Sequence, residues 1–271
     1  MKKIITITNQ KGGVGKTTTA MSILGVLHKM KYRTLGVDLD PQGSLGFSAG
    51  VDIDHCDTVY DVFTGEKSID DVIVSTESLG DILPSNIDLS TVELEFRSEG
   101  RECLLRNELR KIAGNYDYII IDTPPALNVL TMNAYAASGG LIIPMAPEIL
   151  SVLAVSQIRD TILTIRENFN PDLEVLGILL NRFSLRLRLN REVDDMAQKL
   201  AKNLLRRYWG RYTRLGSTFL ENMEGLTTLK IYGADAAKHR EMNEKAEEFR
   251  DVTMKVLTMQ LNSIIIMDLV A

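Results

Sequence analysis

Cysteine is scarce in this chain: its 271 residues include two, Cys56 and Cys103. The two lie far apart and lack the spacing of metal ligands, so we expect neither a disulfide framework nor a zinc site. Unpaired thiols of this kind are typical of a reducing compartment, which predicts a cytoplasmic protein.

Positive charge is not in excess either. The chain carries 31 Lys and Arg against 36 Asp and Glu, which gives a formal net charge of −5 and a pI near 5.4. Any affinity for nucleic acid must therefore come from a local basic patch.

Long apolar segments are also missing. The first apolar run, residues 4–8, is too short and too rich in Thr for a signal peptide. Residues 254–271 are apolar but interrupted by Lys255, Asn262 and Asp268, whereas a membrane span needs about twenty mainly apolar residues. With 45% hydrophobic and 25% charged residues, the composition is that of an ordinary soluble globular protein.

From residue 1 to about 190, short apolar runs typical of strands alternate with helical patterns. Candidate strands span 4–8, 34–38, 79–83, 118–121, 140–145 and 174–180, and helices are expected near 16–31, 58–74, 101–113, 128–137 and 150–168. This alternation is typical of an α/β fold with a doubly wound, mainly parallel sheet. The sequence predicts one such domain over residues 1–190.

The most informative segment is a glycine-rich loop between the first candidate strand and the first candidate helix. Its members are Lys11, Gly12, Gly13, Val14, Gly15, Lys16, Thr17 and Thr18. Glycines let successive backbone N–H groups turn toward phosphate oxygens, and the following helix adds the positive end of its dipole. We expect Lys16 to reach the β- and γ-phosphates of ATP, Thr17 to bind Mg²⁺ and Thr18 to contact the α-phosphate.

The loop departs from the usual pattern G-x-x-x-x-G-K-[ST], because Gln10 stands where that pattern has its first glycine. It reads instead K-G-G-x-G-K-T-T, with a second lysine, Lys11, ahead of Lys16. This pattern resembles the deviant Walker A loop of the ParA/MinD superfamily of partition and positioning ATPases. The resemblance implies that Lys11 reaches across a dimer interface to the nucleotide of the other subunit.

Two carboxylates close the second candidate strand, where α/β sheets place ligands. Residues 34–44 form an apolar run that leads into Asp38 and Asp40. Because alternate strand residues point to the same face, we expect both side chains to address the metal and the attacking water. The segment is similar to the D-x-D-P-Q-G element of the same family, which implies that Asp40 positions the water; Asp38 is then our candidate for the metal. A turn-capping role for this strand end is the alternative.

Another apolar run, residues 118–121, ends on Asp122 and is followed by Thr123-Pro124-Pro125. The two prolines predict an extended exit from the strand. The segment resembles a Walker B strand followed by a switch loop. By that resemblance, Asp122 holds Mg²⁺ through water and the loop senses the γ-phosphate.

Later strand ends fit the same family. Residues 83–86 and 143–148 resemble its post-strand loops in the same order. Residues 177–182 resemble the strand whose closing asparagine reads the adenine edge in relatives, which implies that Asn181 is the base reader. An asparagine at a strand end is also typical of a turn, and that alternative stays open.

The resemblance to a partition ATPase covers residues 1 to about 190, and a different resemblance begins at about residue 197. The further strand, the proline-containing loop beside the adenine and the closing helix of the family are not recognisable in residues 191–271. Segments 204–210 and 219–234 are instead similar to cytoplasmic extensions of transmembrane helices in ABC exporters of the cysteine/glutathione type. We interpret 191–271 as a helical tail of foreign origin, joined by natural fusion or sequence-assembly error; a diverged family tail is the alternative.

The resemblance also implies a function. In ParA/Soj-type relatives ATP closes two subunits into a homodimer, the dimer binds DNA nonspecifically, and a ParB-like partner stimulates slow ATP hydrolysis. We therefore expect a nucleoid-associated, cytoplasmic ATPase of chromosome or plasmid partition with ATP and Mg²⁺ as cofactors. DNA contacts are expected from Arg182, Arg186, Arg188 and Arg191, although such a run is also typical of a solvated face.

Three alternatives remain. A MinD-type ATPase would lie on a membrane through residues 254–271, but that segment lacks the basic flanks of a lipid-bound amphipathic helix. Electron-transferring iron proteins of this fold need two cysteines in glycine-rich loops, a pattern that Cys56 and Cys103 do not fit. A fused or truncated chain with impaired nucleotide binding is the third.

Overall fold

The computed structural model describes residues 3–92, 100–146 and 149–181. The predicted tail over 191–271 and the predicted domain boundary at residue 190 lie outside these ranges. In the part of the chain that the structure describes, no helix has the length and apolarity needed to cross a bilayer.

Seven strands form one sheet within the described residues. They are β1 (Ile4–Ile7), β2 (Thr34–Asp38), β3 (Val74–Thr76), β4 (Gly80–Leu83), β5 (Tyr118–Asp122), β6 (Gly140–Met145) and β7 (Glu174–Leu180). Their order across the sheet is β3-β4-β2-β5-β1-β6-β7. All neighbours are parallel except β3 and β4, so the predicted α/β fold with a mainly parallel sheet is confirmed.

The helices are α1 (Lys16–Lys29), α2 (Ser44–Ser48), α3 (Val59–Thr64), α4 (Ile69–Val72), α5 (Leu104–Ile112), α6 (Val129–Ala137) and α7 (Ile149–Asn168). Short 3₁₀ turns cover Ile87–Thr91, Arg101–Cys103 and Ala113–Asn115.

The single helix predicted over 58–74 is wrong. Gly65 ends α3 in the left-handed region, at φ 80°, a conformation that glycine adopts without steric cost. Ser68 then precedes α4 in an extended conformation, and the chain continues into β3. The segment therefore holds two short helices and an edge strand.

Helix α1 packs on the middle of the sheet. Ala20 and Leu24 share a buried cluster with Ile7, Ile82 and Ile120 from three strands. Gly36 of β2 makes this approach possible, because a Cβ there would lie 2.7 Å from side-chain carbons of both Leu24 and Ile82. Truncating one such buried leucine typically costs about 2–5 kcal/mol of stability.

The carboxyl ends of three strands lie side by side. Ile7 of β1 and Asp38 of β2 are each in register with Asp122 of β5. The segments that follow these residues, 8–15, 39–43 and 123–128, therefore start at one edge of the sheet, where parallel α/β sheets bind ligands.

Candidate functional site

The glycine-rich loop has the backbone shape of an anion cradle. Gly13 and Gly15 have φ of 70° and 91°, in the left-handed region that glycine tolerates best. A Cβ on Gly12 or Gly13 would meet nothing within 4 Å, so the loop borders open space at these two residues. No side chain caps the start of α1 at Gly15, which leaves first-turn N–H groups of this described helix free to bind phosphate oxygens.

Lys16 lies under this loop with its charge largely buried. The residue is 7% exposed, and its Nζ donates to the backbone oxygen of Lys11 at 3.3 Å. Burial lowers the pKa of the Lys16 ammonium, while the nearby carboxylates of Asp122 and Asp40 raise it. An anion in the cradle would give this ammonium a partner of opposite charge.

Lys11 stands at the loop entrance, and its backbone is fixed by a neighbour. Its N–H donates to Oδ1 of Asn9 at 3.0 Å, and Nδ2 of Asn9 donates to the backbone oxygen of Pro144 at 2.7 Å. The loop is therefore attached to the end of β6. Gly12, Gly13 and Thr18 are exposed beside it, whereas Val14 is buried.

A buried carboxylate next to the loop has a free oxygen. The Oδ1 atom of Asp122 accepts the N–H of Thr123 at 3.1 Å, and the Thr17 side chain lies close enough to lower the pKa of this carboxyl. Its Oδ2 has no hydrogen-bond partner among the described residues. Burial raises the pKa of Asp122 to about 6, against the opposing effects of Thr17 and Lys16.

The side-chain oxygens of Thr17 and Asp122 are suited to bind a magnesium ion. A buried oxygen without a partner is costly, and a hard cation that is bound by carboxylate and hydroxyl oxygens would satisfy it. Thr17 and Asp122 therefore lie where the sequence predicts the metal site.

The expectation that Asp38 and Asp40 share one face of the strand is wrong. Strand β2 ends at Asp38, so strand alternation does not extend to Asp40. Asp40 instead opens a turn, in which its backbone oxygen accepts the N–H of Gly43 at 2.9 Å and its Oδ1 accepts the N–H of Gln42 at 3.0 Å. The half-buried Asp40 carboxylate remains within electrostatic reach of Lys16.

Asp38 is turned inward, toward the backbone. Its Oδ1 accepts the N–H of Asp40 at 3.0 Å, and its Oδ2 accepts the N–H groups of Leu45 and Gly46 at 2.9 and 3.2 Å. Burial, and then the neighbouring Asp122, raise the pKa of Asp38 to about 8, while the backbone N–H groups oppose this. The geometry therefore favours Asp122 over Asp38 as the carboxylate that faces the metal.

The segment predicted to sense the γ-phosphate starts at a fixed residue. Thr123 is fully buried, and its hydroxyl donates to the backbone oxygen of Ile7 at 2.9 Å. Of the two prolines that follow, Pro124 is buried and Pro125 is exposed. The exposed part of the loop, from Pro125 onward, is the part available to a ligand.

Asn181 contacts the glycine-rich loop directly. Its Nδ2 donates to the backbone oxygen of Val14 at 2.8 Å, and its N–H donates to the backbone oxygen of Met145. A Cβ on Gly15 would lie 2.4 Å from this Nδ2. The structure thus places Asn181 at the site, with one amide hydrogen engaged by the loop.

Sequence reasoning missed two groups beneath the loop. Asn9 is 1% exposed and connects Lys11 to β6, as described above. The Thr8 hydroxyl lies 3.0 Å from the hydroxyl of Tyr135 on α6, and both residues are buried. Asn9 had a local signal, as a polar residue between a strand and a glycine-rich loop; the Thr8 contact spans 127 positions and had none.

Several predicted residues lie outside the described ranges. These are the basic run Arg182, Arg186, Arg188 and Arg191 and the whole of 191–271. The predicted DNA contacts and the predicted exporter-like tail therefore stay predictions.

Comparison with known proteins matches the same part of the chain. Residues 2–175 match a family described as AAA domain. The chromosome partitioning protein ParA of Myxococcus xanthus is 41% identical over 196 residues, which cover 71% of this chain and 69% of that protein. The sporulation initiation inhibitor protein Soj of Bacillus subtilis is 39% identical over 205 residues, 73% of this chain and 80% of that protein.

A solved structure extends the likeness to three dimensions. Cobyrinic acid a,c-diamide synthase from Mycobacterium smegmatis, with bound ATP analog and magnesium, superposes with a TM-score of 0.70 at 39% identity. The superposition covers 73% of this chain and 82% of the other.

Proposed function

This chain belongs to the AAA domain family and to its ParA-type partition ATPases, and we propose that Mg-ATP joins two copies into a homodimer that binds DNA nonspecifically. Hydrolysis, stimulated by a ParB-like partner, then releases the DNA. One observation carries the proposal: an open cradle of backbone N–H groups stands over the buried Lys16 ammonium, beside the unpaired Oδ2 of Asp122.

The cofactors are ATP and Mg²⁺, as in the solved structures of a relative with bound nucleotide and magnesium. Backbone N–H groups from Gly12 to Thr18 would hold the phosphates, with Lys16 beneath them. Thr17 and Asp122 would hold the Mg²⁺, whose charge offsets that of the β- and γ-phosphates.

Asp40 is our candidate for orienting the attacking water. It lies in the turn after β2, within electrostatic reach of Lys16. Phosphoryl transfer depends mainly on positioning and charge. With a single carboxylate to orient the water, we expect hydrolysis to be slow without the ParB-like partner.

Lys11 supports the dimer. Lys16 already supplies an ammonium from within the chain, and Lys11 is half-buried beside the exposed Gly12 and Gly13. A second copy that approaches this open side would bring its own nucleotide toward Lys11. ATP bound in the cradle would then control dimerisation. Through the dimer it would also control DNA binding by the basic run 182–191 and location on the nucleoid.

The test measures binding of a random-sequence DNA duplex with a non-hydrolysable ATP analogue, with ADP and without nucleotide. We expect the protein to bind DNA only when the analogue is present. The affinity for DNA should fall about 10³-fold between about 50 and 200 mM salt. Lys16→Ala should remove both nucleotide and DNA binding, whereas Lys29→Ala, an exposed lysine at the end of α1, should change neither.

Calorimetry with the same analogue and Mg²⁺ separates nucleotide binding from DNA binding. Heat of nucleotide binding without DNA binding would reject the partition function but leave the nucleotide site standing. Absence of binding heat would reject the nucleotide site and the partition function together. Nucleotide-dependent co-sedimentation with anionic vesicles, in the absence of DNA binding, would instead support the MinD-type alternative. The exporter-like origin of 191–271 remains a separate prediction, tested by continuity of the reading frame across residues 185–200 in independent genomic reads.

A further inference from the structure

Asp38 is a fully buried carboxylate beside the nucleotide site, yet it does not face that site. It is the last residue of β2, two positions after Gly36, whose missing side chain leaves room for Leu24 of α1 and Leu45 of α2. Alternate strand residues share a face, so Asp38 lies on the side of the sheet covered by these helices. Its exposed fraction is 0%.

The three contacts of Asp38 close a ring of backbone. Oδ1 holds the N–H of Asp40, and Oδ2 holds the N–H groups of Leu45 and Gly46. One carboxylate thus joins the start of the β2–α2 turn to the first turn of α2. A hydrogen bond contributes about 0.5–1.5 kcal/mol to stability, and this one side chain makes three of them to the same short segment.

The turn inside the ring is fixed from the other side as well. Gly43 has φ 62°, and a Cβ on it would lie 2.7 Å from the backbone oxygen of Ser85. With Gly43 packed on the β4 end and Asp38 closing the ring, the backbone of Asp40 has little freedom. The direction of the Asp40 carboxylate is therefore set partly by Asp38.

Asp122 provides the contrast. The two carboxylates occupy paired positions on β2 and β5, but Oδ2 of Asp122 has no partner among the described residues, while both oxygens of Asp38 accept backbone N–H groups. To bind a metal through Oδ2, Asp38 would have to release the buried N–H groups of Leu45 and Gly46. Asp122 requires no such exchange.

We propose that Asp38 is a positioning residue for ATP hydrolysis, which acts by holding Asp40 and the start of α2, and that it is not a ligand of Mg²⁺. The proposal rests on the function proposed above. It assigns the two buried carboxylates different tasks: Asp122 serves the metal, and Asp38 serves the geometry of the water-orienting turn.

The first test uses the Asp38→Asn variant of the full chain. The amide keeps the shape but turns a hydrogen-bond donor toward backbone N–H groups, which loosens the turn. We expect kcat to fall about ten- to hundredfold, with KM for ATP and the Mg²⁺ concentration for half-maximal activity within about twofold of the wild-type values.

Two matched variants calibrate this result. Asp122→Asn should raise the Mg²⁺ requirement, and Asp172→Asn, an exposed carboxylate on the loop before β7, should change neither quantity. A Mg²⁺ requirement that rises in Asp38→Asn as it does in Asp122→Asn would overturn the proposal. An unchanged kcat would do the same.

The second test needs neither activity nor a variant. Hydrogen exchange of the wild-type protein without nucleotide or metal should show protected amides at Leu45 and Gly46, and adding Mg²⁺ with an ATP analogue should preserve that protection. Loss of protection by about tenfold on loading would mean that the carboxylate has moved to the metal. A wild-type protein that does not hydrolyse ATP would reject the proposed function, while the exchange of the unliganded protein would still test the ring.

Discussion

Gly15 carries two constraints at the scale of a single residue. Its φ of 91° lies in the left-handed region, and a Cβ would lie 2.4 Å from Nδ2 of Asn181. The same Nδ2 holds the backbone oxygen of Val14. Glycine is needed here for conformation and for space, and Asn181 is close enough to support the loop that binds phosphate.

This placement gives a prediction for Asn181→Ala. The lost hydrogen bond should weaken binding of ATP and of inorganic tripolyphosphate by a similar factor, about fivefold for a contribution of about 1 kcal/mol. Calorimetry with both ligands measures the two losses. A loss confined to ATP would show that Asn181 reads the base and does not support the loop.

The glycine-rich loop could be predicted from the sequence because the residues that form it are consecutive in the chain. Strand, loop, lysine and helix follow each other in the sequence, and backbone conformation at Gly13 and Gly15 depends on residue type. The contacts of Asp38 could not be predicted in this way. They depend on where β2 ends, and strand periodicity alone does not mark that point.

At the scale of elements, a polar clamp joins the amino ends of β2 and β5. The Asp117 carboxylate accepts the N–H of Arg33 at 3.0 Å and its Nε and Nη2 at 3.2 and 3.0 Å. In return, the N–H of Asp117 donates to the backbone oxygen of Arg33 at 2.8 Å. The side-chain hydrogen bond from Arg33 lowers the pKa of Asp117 to about 2.

The clamp predicts a pH-dependent difference in stability. A carboxylate whose pKa is lowered on folding stabilises the protein above its unfolded pKa of about 3.9. The benefit is lost as the pH falls toward about 2. Asp117→Asn should therefore lower the thermal midpoint slightly near neutral pH, because exposed pairs contribute little, and the gap to wild type should close in acid.

Thermal melts over that pH range, with Asp172→Asn as the control, measure the effect. A gap that stays constant down to the lowest pH at which the wild type folds would show that the charge of Asp117 does not contribute.

Elements with a clear pattern were predictable, and short ones were not. The six predicted strands all form, and each is a mainly apolar run four to seven residues long. Strand β3 has three residues and α2 has five, and their sequences carry too few positions to show a period. Pairing with β4 decides the strand, and packing of Gly46 against Pro84, which follows β4, decides the helix.

At the scale of the whole molecule, the open side of the cradle is the feature that a second copy would cover. Lys11→Ala should leave ATP binding by the monomer unchanged, because Lys16 supplies the ammonium under the loop, and should remove the ATP-dependent dimer. Size-exclusion chromatography with and without an ATP analogue reports the dimer, and calorimetry reports the binding.

Lys29→Ala is the matched control, since it removes a charge from the far end of α1. A Lys11→Ala protein that still dimerises with ATP would remove the role of this lysine between subunits. A Lys11→Ala protein that no longer binds nucleotide would show that Lys11 belongs to the nucleotide site of its own subunit.

The bond between Asn181 and Val14 also bears on how such a chain can evolve. Asn181 follows Val14 by 167 positions, yet its side chain holds the backbone oxygen of that loop residue. A recombination event with its crossover between the two positions would exchange this asparagine, and the phosphate-binding loop would lose its support unless the incoming segment also carried an asparagine there.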